Sequence, residues 1–300
     1  MTLGVVLASL ILSILFGINN ASVCQAGVVS SGLFSFKRAS IIIGAGLLTG
    51  SVLEGWKTKT FVSKIEVGPD SMVILLISIL VLLIFTIYKA PISVAHVVAG
   101  GWLGVALNTY GLTVLPVLIN LVLAWILTPI ISLFAGVVLY LLIRHRTKNW
   151  SLLRLAWFNR TALLFASFFT SYSLGSNNVG LILGISGLEI HFLVIVVAGI
   201  LIGSTFMSKR FVKAIGEDFL VIGPLGVLSS LLSGSFVVWT LTQLGYPASL
   251  TNGILGALVG VGLISRPRVM NVGKLYQIMF SWIFGGLIGS FLSYLIIQIV

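Results

Sequence analysis

Gly17-Ile18-Asn19-Asn20 and Gly175-Ser176-Asn177-Asn178 are short polar interruptions in otherwise apolar sequence, and each is followed in its own half by a proline–serine break, Pro91-Ile92-Ser93 and Pro247-Ala248-Ser249. Such pairing marks an internal duplication. Inside a membrane, irregular backbone is tolerated only where it lines a cavity or a site. Matched interruptions in two hydrophobic halves therefore point to the binding site of a secondary transporter.

Working outward, 58% of the 300 residues are hydrophobic, 8% are charged, and the mean hydropathy is +1.20. Apolar runs at 39–56, 71–88, 113–143, 191–207, 219–241 and 272–300 are each long enough to cross about 30 Å of hydrocarbon at about 1.5 Å per residue. The chain reads as a polytopic integral membrane protein. No Lys or Arg precedes Lys37, so the first segment lacks the positive region of a cleavable signal peptide and reads as a span. A lone Cys24 permits no intrachain disulfide.

The formal net charge of +11 resides in loops. Five crossings per half are expected, beginning near residues 3, 39, 71, 91 and 113, then near 161, 191, 219, 247 and 272. With the N-terminus outside, 14 of the 17 Lys and Arg residues fall on the inner side, and only Lys57, Lys59 and Lys64 fall outside. The basic balance is thus topology in a membrane-lipid setting, with no nucleic-acid partner implied.

An odd number of crossings per half predicts inverted repeats, 1–150 and 151–300. Landmark offsets agree: Gly17 to Gly175 is 158, Gly50 to Gly203 is 153, Pro91 to Pro247 is 156 and Trp125 to Trp282 is 157. Residues 109–114 carry no charge, whereas their counterpart at 266–274 carries Arg266, Arg268 and Lys274, as opposite sidedness requires. The expected fold is all-α, with 10–12 transmembrane segments in two inverted repeats with broken helices. Pro91 and Pro247 open either re-entrant hairpins or simple spans. The 113–143 run, with Pro116 and Pro129, is expected to be kinked or split.

Helices interrupted at the asparagine stretches would leave free backbone N–H groups at their restarted N-termini, a receptor for an oxyanion. Asn19, Asn20, Ser22, Ser93, Asn177, Asn178, Ser249, Thr251 and Asn252 are the candidate substrate-binding donors. His96 is a candidate for a coupling proton, since imidazole titrates near neutrality. The competing reading is that Ser, Asn and Gly glue packed membrane helices, and that His96 is a neutral core residue. Glu54, Glu189 and His191 fall at expected outer ends as solvated boundary residues, and Trp56 and Trp150 read as interfacial anchors.

Enzyme chemistry finds little support. Gly184-Ile185-Ser186-Gly187 resembles the Gly-x-Ser-Gly of rhomboid-type proteases over four residues, but His191 would lie about 140° round a helix from Ser186. No His-Glu-x-x-His, Cys-x-x-Cys or phosphate-binding P-loop occurs, and no metal or cofactor is expected. A passive anion channel is the more serious rival to a carrier.

At the level of motifs the chain resembles the inorganic phosphate transporter (PiT) family. That family carries Gly-Ala-Asn-Asp-Val-Ala-Asn early in each half, where this chain has Gly17-Ile18-Asn19-Asn20-Ala21-Ser22-Val23 and Gly175-Ser176-Asn177-Asn178-Val179-Gly180-Leu181. It also carries Pro-Val-Ser-Thr-Thr-His, matched by Pro91-Ile92-Ser93-Val94-Ala95-His96 and Pro247-Ala248-Ser249-Leu250-Thr251-Asn252. The resemblance implies a secondary transporter of inorganic phosphate, driven by protons or sodium through alternating access. It further implies a compact carrier in a prokaryotic plasma membrane, with homodimerisation open. It assigns cation coupling to two aspartates, which here are the amides Asn20 and Asn178. An amide oxygen can ligate Na⁺ but brings no charge to the site. A donor-rich site without carboxylates would also accept sulfate, which makes a sulfate or other oxyanion permease the alternative.

Overall fold

The computed structural model describes residues 2–58, 69–88, 92–187, 189–209, 212, 222–265 and 272–299. Pro91, Lys59, Lys64, Lys89, Arg266 and Arg268 lie outside these. Among the described residues every regular element is helical. In lipid a helix is the open-chain solution, because it pairs its backbone polar groups within one segment.

The helices are α1 (Thr2–Phe16), α2 (Ser22–Ser30), α3 (Phe36–Glu54), α4 (Pro69–Ile87), α5 (Val94–Tyr110), α6 (Leu115–Thr147), α7 (Leu152–Ser186), α8 (Ile190–Ile202), α9 (Gly223–Gln243), α10 (Leu250–Ser265) and α11 (Val272–Ile297). Among the described residues six stretches are long and apolar enough to cross a membrane: Leu3–Val29, Phe36–Glu54, Asp70–Ile87, Val94–Thr147, Ile190–Met207 and Gly223–Gln243. Two shorter apolar helices, Leu250–Ser265 and Phe284–Ile297, accompany them. Ile119, Ile126, Ile130, Phe134 and Leu142 point outward from α6, an apolar surface suited to lipid and costly in water.

The asparagine stretches do not break their helices. Gly17–Ala21 is a π-helical turn that joins α1 to α2 without a restart, and α7 runs through Gly175–Asn178 as one 35-residue helix. The extra carbonyl left by the π-turn is partly served by Ser22, whose hydroxyl donates to Asn19 O at 2.6 Å. Chain breaks instead fall at the two serines that follow the prolines, Ser93 before α5 and Ser249 before α10. The 113–143 run is likewise unsplit. It forms α6, with Pro116 in the first turn, where its missing N–H costs nothing, and Pro129 within the helix.

A pseudo-two-fold relates α1–α2 to α7, α3 to α8, α4 to α9, α5 to α10 and α6 to α11. Each principal packing has its mate: α3 on α7 and α8 on α1, α5 on α11 and α10 on α6, α9 on α7 and α4 on α1. Helices from before and after residue 150 are therefore interleaved. Glycines set the crossings. A Cβ on Gly100 or Gly104 would lie 2.2 Å from Gly286 O or 2.1 Å from Ser290 O. On the symmetry-related side, one on Gly256 or Gly260 would lie 2.2 Å from Pro129 O or 2.5 Å from Leu133 O. Both are Gly-x-x-x-Gly faces that bring two helix backbones into contact.

Candidate functional site

All nine candidate donors and His96 are buried, none more than 3% exposed. Burial obliges a polar side chain to find a partner, so the partners sort the candidates. Asn19 and Asn177 are internal clamps. Asn19 accepts from Ile92 N through Oδ1 at 3.4 Å and donates to Thr86 Oγ1 at 3.5 Å. Asn177 does the same one repeat later, accepting from Ala248 N at 3.0 Å and donating to Thr242 Oγ1 at 2.7 Å and to Tyr246 O at 3.2 Å. Each thereby pins the loop that precedes a helix break against the middle of a long helix.

Their neighbours are arranged differently. Among the described residues neither Nδ2 nor Oδ1 of Asn20 has a hydrogen-bond partner, and Asn178 leaves Oδ1 without one while Nδ2 reaches Leu174 O at 3.4 Å. An unpaired buried amide costs about 1–3 kcal/mol. The two are repeat-mates, 158 residues apart in the chain.

The helix starts lie close together. Ser93 caps α5, its hydroxyl accepting from His96 N at 3.3 Å, and Ser249 accepts from Asn252 N at 3.2 Å. Ser249 also donates to Asn252 Oδ1 at 2.8 Å, which orients the Asn252 amide so that Nδ2 faces His96 Nε2 at 3.4 Å. An amide NH₂ only donates, so in this contact Nε2 takes the acceptor role. The ring packs against Trp125, with centroids 4.1 Å apart. Thr251 is buried in the first turn of α10. Because His96 and Asn252 are symmetry mates in contact, the pseudo-two-fold passes between them. The first turns of α5 and α10 thus approach each other through these two side chains, and each helix start carries about half a positive charge. Two like partial charges brought together in low dielectric favour an anion between them.

Sequence reasoning placed these N-termini at the asparagines, and the structure moves them to the serines. It also missed Thr86 and Thr242, which the repeat offset of 156 links, and Trp125. Gln25 was missed as well. It is fully buried, donates to Ser40 Oγ and Ser204 O at 3.0 Å each, and accepts from Ser208 Oγ at 2.6 Å, tying α2 to α3 and to the π-turn at Gly203–Met207. A glutamine alone in an apolar helix was the available signal.

The boundary residues also differ from expectation. Glu54 pairs with Lys57 at 2.9 Å and accepts from Trp239 Nε1 at 2.9 Å and Gln243 Nε2 at 3.0 Å, so it clasps α3 to α9 where a solvated residue was expected. Thr58 donates to Asn177 O at 2.7 Å just beyond this clasp. Ser186 is fully buried against the Ser9 hydroxyl at 2.6 Å, whereas the half-exposed His191 pairs with Glu189 at 3.1 Å. Among the described residues no base reaches the serine, and the protease reading fails. Among the described residues no group of three His, Cys, Asp or Glu side chains could hold a metal ion.

An interleaved helical membrane protein of two related halves, with buried polar side chains repeated between them, has the architecture of a membrane transporter. The sequence profile of the phosphate transporter family matches residues 16–159 and again 151–293, and the chain belongs to that family, whose members are transporters and not enzymes. A protein of Methanocaldococcus jannaschii named as a phosphate permease is 26% identical over 97% of this chain and 95% of its own length. A Bacillus subtilis protein named as a low-affinity inorganic phosphate transporter is 23% identical, covering 94% and 92%. The solved structure described as the sodium-dependent phosphate transporter superposes with a TM-score of 0.85 over 100% of this chain and 99% of that one, at 17% identity, which establishes a shared fold.

Proposed function

We propose that the chain carries inorganic phosphate across the plasma membrane by cation-coupled alternating access, with the anion bound between the N-termini of α5 and α10. The meeting of those two helix starts at His96 and Asn252 carries this reading. Ser93, Ser249 and Thr251 border the same point. We assign the coupling-ion position to Asn20 and Asn178, whose free Oδ1 atoms are hard oxygen donors suited to Na⁺. Sodium also appears in the description of the structurally similar transporter. His96 suits a proton less well. Protonating Nε2 would break its contact with Asn252 and add a full charge between two positive helix ends. Residues 1–150 and 151–300 form the two inverted repeats, with the N-terminus outside.

Purified protein in proteoliposomes tests the reading. Phosphate accumulation should follow an imposed sodium gradient, and Asn20→Ala and Asn178→Ala should each raise the sodium concentration needed by roughly tenfold, the loss of one buried ligand. Accumulation that follows a pH gradient and disappears in His96→Gln would assign coupling to the proton. Preference for sulfate over phosphate would select the oxyanion alternative, and flux without counterflow would make the protein a channel.

A further inference from the structure

The last turn of α6, its connection to α7 and the first turns of α7 carry Arg144, Arg146, Lys148, Arg154 and Arg160, and residues 142–165 contain no Asp or Glu. All five cations are exposed, and among the described residues none sits in an ion pair. Arg144 and Arg146 complement the carbonyl end of α6. Arg154 has no such reason. It lies in the first turn of α7, where the helix dipole repels a cation and no acidic residue compensates.

Its guanidinium is nevertheless held in a defined place, 4.2 Å from the Trp150 ring, and that ring meets Phe158 edge-on at 5.4 Å. A guanidinium over an aromatic ring keeps its N–H donors available, and its planar fork suits phosphate oxygens taken two at a time. Beside it runs a groove of about 710 Å³ walled by Trp157, Phe158, Thr161, Ala162 and Phe165. Trp157 and Phe165 are 74% and 64% exposed. Positions 157, 161 and 165 stack along one face of α7 over about 12 Å. Loop charge alone would satisfy the rule for membrane sidedness, but it accounts for neither the stacked arginine nor the apolar trough beneath it.

We propose that this groove binds one anionic phospholipid from the leaflet that residues 144–160 face. The phosphodiester is held by the Arg154 guanidinium, and an acyl chain lies along Trp157, Thr161 and Phe165. A charged headgroup over an apolar trough requires a ligand with both parts, which a free phosphate ion lacks. None of the residues lining the groove is among those assigned to the proposed anion site.

Native mass spectrometry of the purified, detergent-solubilised full chain, titrated with phosphatidylglycerol or with phosphatidylcholine of the same acyl chains, tests the proposal. The wild type should retain one phosphatidylglycerol with about a tenfold preference over phosphatidylcholine. Arg154→Gln and Trp157→Ala should each reduce that lipid's retention about tenfold, and Arg154→Lys should recover only part because it keeps charge without the planar fork. Arg144→Gln, equal in charge loss but outside the groove, should change retention less than about twofold. Millimolar inorganic phosphate should leave the lipid in place. Equal losses in Arg144→Gln and Arg154→Gln would reduce the effect to general surface charge and overturn the proposal. Displacement by inorganic phosphate would make the groove a free-anion site, and a lipid-free dimer lost on Trp157→Ala would make it a subunit interface; either result also overturns it.

Discussion

At the scale of residues, four asparagines in two adjacent pairs carry opposite roles. Asn19 and Asn177 spend their amides on the backbone of the loops they pin, while Asn20 and Asn178 are buried with polar atoms left open. Replacing Asn19 or Asn177 by Ala removes bonds that buried partners cannot recover, and each should lower unfolding stability by about 1–3 kcal/mol. Asn20→Ala deletes an amide with both polar atoms unsatisfied, and Asn178→Ala deletes an unsatisfied Oδ1 with only one long bond, from Nδ2 to Leu174 O, so stability should change little while ligand binding falls. Thermal unfolding in detergent, with and without phosphate and sodium, checks both: the first pair should shift the apo midpoint, the second only the ligand-induced increment. The sequence grouped all four residues correctly as buried, repeated and polar. It did not separate clamp from ligand position, because adjacent residues on a helix point about 100° apart and only the packed neighbours decide which one meets a loop.

Between elements, glycine crossings hold the interleaved halves together, and one pair of crossings departs from the pseudo-two-fold. Where α1–α2 meets α8, Gly17 and Gly203 face each other across two π-turns; a Cβ on Gly17 would lie 2.2 Å from Ile200 O, and one on Gly203 2.2 Å from Ile14 O. The related crossing of α7 with α3 packs Gly175 and Gly50 equally tightly, yet both helices there are regular. At Gly50 a Cβ would lie 2.0 Å from Tyr172 O. Gly50→Ala should therefore force the backbones apart and cost about 1–3 kcal/mol or more, read from chemical or thermal unfolding and from lost transport. Gly32→Ala is the contrast. No atom lies within 4 Å, but φ is 73°, so the cost is left-handed strain of about 1–2 kcal/mol without loss of transport. The offsets that relate these glycines were legible in the sequence. The continuity of α7 was not, since Gly, Ser and Asn are weak helix formers and packing against α3 and α9 overrides that preference.

For the whole molecule, sidedness is the open geometric quantity, and the partition of basic residues predicts it. On a background lacking Cys24, cysteines at Tyr110 and Leu244 should react with impermeant thiol reagents from outside, and one at Asn149 only from inside. Leu244 is preferred to Gly245, whose φ of 79° disfavours any side chain. Labelling of Tyr110 and Asn149 from the same side would refute the inverted arrangement. By itself the sequence determined that the chain is helical, membrane-spanning and duplicated, because hydrophobic length, loop charge and repeat offsets are properties of composition and order along the chain. Only the tertiary structure decided where the helices break, which asparagines remain unpartnered, and that His96 meets its own repeat-mate Asn252. Those facts depend on which helix lies beside which. In lipid, that choice rests on close backbone approach at glycines and on pairing of buried polar groups across the two halves, neither of which a linear pattern encodes.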